Sequence, residues 1–156
     1  MILVDTSVWV PVLRDQSGVL VADFRKSLGE GEVVLTRFTQ LELLQGARTE
    51  REWRLLDEYL STQDYLECSE NTWREAARLY FDLRRQGKTV ASPIDCCIAQ
   101  LALEAGIPLM HRDRDFNTIA TARPLKSLWW DPPSVVSEKR MTRRRTTIRA
   151  RRLGPS

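Results

Sequence analysis

The chain begins with MILVDTSVW, residues 1–9, and this stretch already indicates the fold. Its apolar run, residues 2–4, is typical of a short buried strand and ends at Asp5. Thr6 or Ser7 can cap a helix that starts directly afterwards. A strand that passes at once into a helix is the repeating unit of a sheet covered by helices.

Strand and helix signals continue to alternate along the chain. We expect further strands at 32–36, 65–68, 108–111 and 125–129, and helices at 6–14, 19–28, 37–48, 50–62, 69–86 and 92–105. A charged loop at 112–118 should lead into a short turn of helix. This order predicts the α/β class, with a central parallel sheet and helices packed on it.

Two of these helices carry clear local signals. The helix at 92–105 should begin with Ser92 as its N-cap and Pro93 in its first turn, which places Asp95 near its N-terminus. The helix at 69–86 has one apolar face that we expect to be buried, formed by Trp73, Ala76, Ala77, Tyr80 and Leu83.

Charge divides the 156 residues into two parts. Residues 1–134 contain 16 basic and 20 acidic side chains, whereas residues 135–156 contain eight basic side chains and one acid. We therefore expect one folded domain over 1–134 and a basic tail over 135–156, which has too little apolar content to order by itself. Such a tail could bind nucleic acid in a salt-dependent way, or it could have no role.

Composition argues against several classes of protein. No run approaches the roughly 18 apolar residues of a membrane-spanning helix, and the N-terminus lacks the basic lead-in of a secretory signal. Three cysteines, two of them adjacent, form a poor disulfide framework and favour the cytoplasm. With a single histidine, the chain has no paired zinc-ligand spacing.

Carboxylates recur where predicted strands end and helices begin. They are Asp5 after the first strand, Glu42 in the helix after the second, Asp95 at a helix start, and Asp113 and Asp115 after the fourth strand. Parallel strands end at one edge of a sheet, so we expect these groups to converge. Their mutual repulsion calls for a hard divalent cation, and an oxygen-only ligand set favours Mg²⁺ or Mn²⁺. Such a site suits phosphodiester hydrolysis.

Each carboxylate alone has a simpler explanation. Asp5 could cap a helix, Asp95 could be a helix-dipole partner, and Glu42 could be a solvated helix residue. Only their joint placement favours a metal site. Two other functions stay open: a module that binds nucleic acid or protein without cutting, and a phosphoacceptor signalling domain, although no second acid adjoins Asp5.

Four segments resemble, in order, the motifs of PIN-domain ribonucleases. They are MILVDTSVW at 1–9, TQLELLQG at 39–46, SPIDCCIA at 92–99 and DRDF at 113–116. The resemblance covers about residues 1–130 and is greatest to the VapC-type toxins of toxin–antitoxin pairs. It implies a three-layer α/β/α sandwich with a central parallel sheet, and identifies 1–134 as a PIN-like nuclease domain.

The resemblance also implies a function: a metal-dependent endoribonuclease that is the toxin of a type II toxin–antitoxin system. By this likeness Asp5 and Asp95 would hold Mg²⁺ or Mn²⁺ directly. Glu42 and Asp113 would complete the acidic set, partly through water, with Asp115 as a neighbour. The implied partners are an RNA substrate, a VapB-type antitoxin that blocks the cleft, and a second copy of the chain in a homodimer.

One position departs from the family pattern. Members often have Thr or Ser two residues before the fourth acid, where this chain has His111. The histidine could hydrogen-bond a ligand, or it could be structural. Arg112 and Arg114, on either side of Asp113, could contact RNA phosphates or form ion pairs within the loop.

Overall fold

The structure is a computed structural model that describes residues 1–134. The basic tail over 135–156, and the prediction that it is disordered, lie outside the described residues. Five strands form one sheet in the order β3-β2-β1-β4-β5, and every neighbouring pair is parallel. They are β1 (Ile2–Val4), β2 (Val33–Thr36), β3 (Tyr65–Leu66), β4 (Leu109–His111) and β5 (Ser127–Trp129).

Seven helices within residues 1–134 connect these strands. They are α1 (Thr6–Leu13), α2 (Val19–Leu28), α3 (Arg37–Gln45), α4 (Glu50–Ser61), α5 (Glu70–Arg85), α6 (Pro93–Ala105) and α7 (Arg114–Ala120). Each predicted helix and strand is present, with its ends within three residues of the prediction. None of these helices combines the length and hydropathy that a membrane crossing requires.

The two faces of the sheet are covered by different helices. Leu3 and Val4 of β1 are both fully buried but belong to separate core clusters. The cluster around Leu3 includes side chains of α5, α6 and α7, whereas that around Val4 includes side chains of α1, α2, α3 and α4. Successive side chains of a strand point to opposite faces, so the central sheet separates two helical layers. The predicted α/β/α sandwich is confirmed.

The buried face of α5 differs from the prediction. It consists of Thr72, Ala76, Leu79 and Leu83. The expected burial of Trp73 and Ala77 is wrong, because Trp73 is 53% exposed and Ala77 is also exposed. Thr72 takes the inward position beside Trp73, where its hydroxyl donates a 2.8 Å hydrogen bond to Glu104 near the end of α6. This bond joins the start of α5 to the end of α6, so the two helices pack antiparallel.

Candidate metal centre

The carboxyl edge of the sheet brings the predicted carboxylates together. Carboxylate oxygens of Asp95, Asp113 and Asp115 lie within 4.8 Å of one another. Asp5 and Glu42 are near enough to act electrostatically on Asp95. We call these five residues the acidic cluster. Its members come from four separate segments of the chain. They meet because β1 and β4 are neighbours in the sheet and because α3 and α6 both have residues at this edge.

Asp5 is positioned by the junction between β1 and α1. It is 6% exposed and is the N-cap of α1, one of the three caps, with Thr6 and Ser7, that the sequence suggested. Its Oδ2 accepts hydrogen bonds from the backbone N–H of Ser7, at 2.9 Å, and from the Ser7 hydroxyl, at 2.6 Å. Both bonds use Oδ2, which leaves Oδ1 available to a ligand. Asp5 therefore combines a capping role with a possible ligand role.

Ser7 also connects the two central strands beyond their ends. Its Oγ accepts a 2.9 Å hydrogen bond from the backbone N–H of Arg112, just after β4, while its proton goes to Asp5. The chain Arg112–Ser7–Asp5 fixes the carboxylate relative to the segment that carries Asp113. The contact between Ser7 and Arg112 has no local sequence signal, because the two residues are 105 positions apart.

The Ser7→Ala variant is expected to keep its fold and to lose about 10- to 100-fold in affinity for a divalent cation, with a similar loss of any activity that requires it. The methyl group removes both side-chain bonds, so that only the backbone N–H of Ser7 still holds Oδ2 of Asp5. Isothermal titration with Mn²⁺ measures the affinity. Ser17→Ala is the matched control, because the Ser17 hydroxyl donates to Asp15 in the same local way in an exposed loop. Equal affinities of the two variants would contradict a positioning role.

Asp113 and Asp115 are held by the start of α7. Asp113 is the N-cap of this helix, and its Oδ1 accepts a 2.9 Å hydrogen bond from the backbone N–H of Asp115. The Oδ2 of Asp115 accepts a 2.7 Å hydrogen bond from the backbone N–H of Ala91, in the loop before α6. This bond draws the α5–α6 loop towards the start of α7. The sequence predicted Asp115 only as a neighbour of the metal site, and its carboxylate lies within the acidic cluster.

The surroundings of Asp95 in the acidic cluster change its pKa. Its pKa is raised to about 7, first by burial and then by the negative charges of Asp113, Asp5, Asp115 and Glu42. Like charges disfavour ionisation of a neighbouring carboxyl group. A cation bound among these oxygens would remove that penalty, since it neutralises the charges that now repel one another.

His111 is a structural residue in this chain. It is fully buried, and burial lowers its pKa. Its Nδ1 accepts a 3.2 Å hydrogen bond from the backbone N–H of Asp113, so the ring proton resides on Nε2, which lies 2.6 Å from the Ser127 hydroxyl. With both ring nitrogens engaged, the histidine orients the segment that carries Asp113.

A family model described as PIN domain matches residues 2–122. The chain belongs to the PIN-domain family. It is 33% identical over 130 residues to VapC ribonuclease Mb1587 of Mycobacterium bovis and to Ribonuclease VapC11 of Mycobacterium tuberculosis. Each alignment covers 81% of this chain and 97% of the relative. Within the PIN-domain family the chain therefore belongs with the VapC ribonucleases.

A solved structure supports the same fold. The structure of VapBC2 from Rickettsia felis, bound to a DNA fragment from its promoter, matches with a TM-score of 0.68. The match covers 84% of this chain and 100% of that chain at 19% sequence identity. This likeness concerns the fold alone.

The residues of this PIN domain fit a hard divalent cation. All the clustered donors are carboxylate oxygens, and the pKa of Asp95 is raised first by burial and then by the negative charges of the neighbouring acids. Oxygen-only donor sets of this kind suit Mg²⁺ and Mn²⁺. The cluster also accounts for the acidic residues that the sequence placed at strand ends.

The two arginines of the site loop are exposed. Within residues 1–134, neither Arg112 nor Arg114 forms an ion pair through its guanidinium group. The backbone N–H of Arg112 is bonded to Ser7, but its side chain is free to meet a ligand beside the carboxylates. A phosphate contact for the two arginines stays a prediction.

Proposed function

We propose that this PIN domain is a divalent-metal-dependent endoribonuclease and the toxin of a type II toxin–antitoxin system. The observation that carries the proposal is that carboxylate oxygens of Asp95, Asp113 and Asp115 lie within 4.8 Å of one another, with Asp5 and Glu42 near enough for their charges to raise the pKa of Asp95. The names of the relatives, VapC ribonuclease and Ribonuclease VapC11, support RNA as the substrate class.

We assign direct metal binding to Asp5 and Asp95, with Mg²⁺ or Mn²⁺ as the ion. Asp5 is held on one side by Ser7, and Asp95 carries the largest uncompensated charge penalty. Glu42, Asp113 and Asp115 would complete the acidic cluster, partly through water molecules. Arg112 and Arg114 would meet the phosphates of RNA next to the cut.

The reaction is hydrolysis of a phosphodiester bond. The oxygen of water joins phosphorus, the bond to the 3′ oxygen breaks, and that oxygen takes a proton, so the products carry 5′-phosphate and 3′-hydroxyl ends. The cation supplies Lewis-acid stabilisation of the phosphate charge and lowers the pKa of water. The chain supplies a fixed arrangement of acids: Ser7 orients Asp5, and the Ala91 N–H and the α7 N-terminus orient Asp115 and Asp113.

Chelation by EDTA is expected to lower RNA cleavage by at least about 100-fold, because the cation neutralises charge on the phosphate in the transition state. Adding Mg²⁺ or Mn²⁺ in excess should restore the rate, and comparing the two ions would decide which is preferred. A gel assay with end-labelled RNA measures both rates. Cleavage that persists after chelation would contradict the proposal. RNA binding with no cleavage in either metal would favour the non-cleaving PIN-like module.

We further propose a VapB-type antitoxin and a second copy of this chain as partners. Support for the antitoxin comes from the match to VapBC2 of Rickettsia felis and from a groove of about 390 Å³ beside Glu42 that is lined by Leu43, Leu55 and Tyr59. A peptide segment in this groove would lie next to the acidic cluster. We assign cleavage to residues 1–134 and place the protein in the cytoplasm, where its three free cysteines would stay reduced.

A further inference from the structure

One edge of α5 carries a row of exposed arginines. They are Arg74, Arg78 and Arg85, with Phe81 between the last two. These residues occupy positions i, i+4, i+7 and i+11, a spacing that places them on the same side of a helix. We call these four residues the α5 basic stripe. The side chains of Arg74 and Arg78 are 78% and 63% exposed, and Arg85 and Phe81 are also exposed.

The charge of the stripe is only partly compensated. Arg78 pairs with Asp82 at 2.9 Å, but Asp82 also pairs with Arg123 at 2.7 Å, so a single carboxylate serves two guanidinium groups. Arg74 contacts Glu75 at a looser 3.6 Å. Arg85 forms no ion pair within residues 1–134. A net positive surface therefore remains along the helix.

Phe81 gives this surface an aromatic face. The guanidinium carbon of Arg78 lies 5.2 Å from the ring centroid, and that of Arg85 lies 5.8 Å from it. Phe81 is 38% exposed, so its ring remains accessible between the two cations. This arrangement matches the surfaces on which nucleobases stack while cations hold the phosphates on either side.

The α5 basic stripe has one end near the acidic cluster and extends along α5 from there. Because α5 and α6 are antiparallel, Arg85 at the end of α5 lies at the same end of the helix pair as Asp95 at the start of α6. The loop between them is bonded to the cluster through the Ala91 N–H and Asp115. From Arg85 back to Arg74, eleven residues rise about 16 Å along the helix axis. That length spans several nucleotides of a single strand.

We propose that the α5 basic stripe binds single-stranded RNA next to the cut site, with its arginines on phosphates and Phe81 against a base. This inference rests on the proposed function and extends it to the substrate segment outside the acidic cluster. Exposed arginines and an accessible ring suit a single strand, whose unstacked bases can meet an aromatic face, better than a duplex.

The test measures RNA affinity in an Asp95→Asn background, so that cleavage does not interfere. The probe is a fluorescein-labelled single-stranded oligoribonucleotide of about 16 nucleotides, and anisotropy is followed from low to high KCl. The triple variant Arg74→Gln, Arg78→Gln, Arg85→Gln is compared with a control that removes the same charge elsewhere: Arg25→Gln, Lys26→Gln, Arg54→Gln, all exposed on α2 and α4.

The stripe variant is expected to bind at least about 10-fold more weakly, and the slope of log K against log salt should fall by about 2, since three phosphate contacts are lost. The control should keep the slope. Phe81→Leu should weaken binding by about fivefold or more with the slope unchanged. A triple Arg→Lys variant should restore the slope, which separates charge from any effect on folding.

Equal affinity and equal slope for the stripe variant and its control would overturn the proposal. Failure of the proposed function is a separate result. If the wild-type protein cuts no RNA while the stripe variant still loses salt-dependent binding, the RNA surface stands and the nuclease assignment falls.

Discussion

The Asp95→Asn variant is expected to cleave RNA at least about 100-fold more slowly than the wild-type protein at saturating Mg²⁺. Asparagine keeps the size of the side chain but presents one neutral oxygen, so the cluster loses a formal negative charge at its centre. The negative charges of all four other acids act on Asp95. We therefore expect its carboxylate to gain the most from the positive charge of a bound cation.

Two controls make this result specific. Asp131→Asn changes the same chemistry at an exposed position outside the acidic cluster and should cleave at the wild-type rate. Circular dichroism of Asp95→Asn should match the wild-type spectrum, since Ser92 and Pro93 still start α6. Wild-type cleavage by folded Asp95→Asn would refute the assignment of this residue to the metal centre.

The features that sequence predicted well are those with local causes. A β strand of three apolar residues that ends in Asp5 needs no distant partner to be recognised, and Ser92-Pro93 marks the start of α6 in the same way. Parallel strands then bring their ends to one edge by geometry alone. This is why convergence of the acids could be predicted without coordinates.

The features that sequence missed depend on tertiary contacts. The hydrogen bond from Arg112 to Ser7 joins residues far apart in the chain, and that from Ala91 to Asp115 depends on how one loop folds over a helix start. Trp73 illustrates a different limit. Thr72 and Trp73 are about 100° apart around the helix axis. The burial of Thr72 goes with its hydrogen bond to Glu104 on α6, a tertiary contact that the apolar periodicity of α5 does not show.

The metal-free protein is expected to lose stability as the pH rises from about 5 to about 7.5, and Asp95 is the cause. Burial and the neighbouring acids raise the pKa of the Asp95 carboxyl group from its ordinary value of 3.8 to about 7 in the folded protein. The folded state therefore binds more protons than the unfolded state in this range, so the free energy of unfolding falls with increasing pH. The stabilisation from neutral Asp95 is fully present below about pH 4 and is lost by the time the pH passes the folded pKa.

The magnitude follows from the shift, reduced for solvent. A shift of three units corresponds to about 4 kcal/mol at most, and because the side chain is only half-buried we expect about 1 to 2 kcal/mol. For a domain of this size that is a decrease in Tm of about 3 to 8 °C. Calorimetry in EDTA across the pH range measures it. Asp15 and Asp82, whose pKa values are lowered, act in the opposite direction and at lower pH. The lowered pKa of buried His111 also acts in the opposite direction, just below pH 6.5, and reduces the net decrease, so the comparison with Asp95→Asn is needed to isolate Asp95.

Asp95→Asn isolates the contribution of this residue. The difference in Tm between variant and wild type should grow in favour of the variant as the pH rises, because asparagine never ionises. Saturating Mn²⁺ should reverse the order above about pH 7, since binding to the ionised cluster stabilises the wild-type protein by mass action. A Tm difference that is independent of pH in EDTA would mean that burial and the neighbouring acids do not raise the pKa of Asp95. The metal-site interpretation would then lose its electrostatic basis even if the variant were inactive.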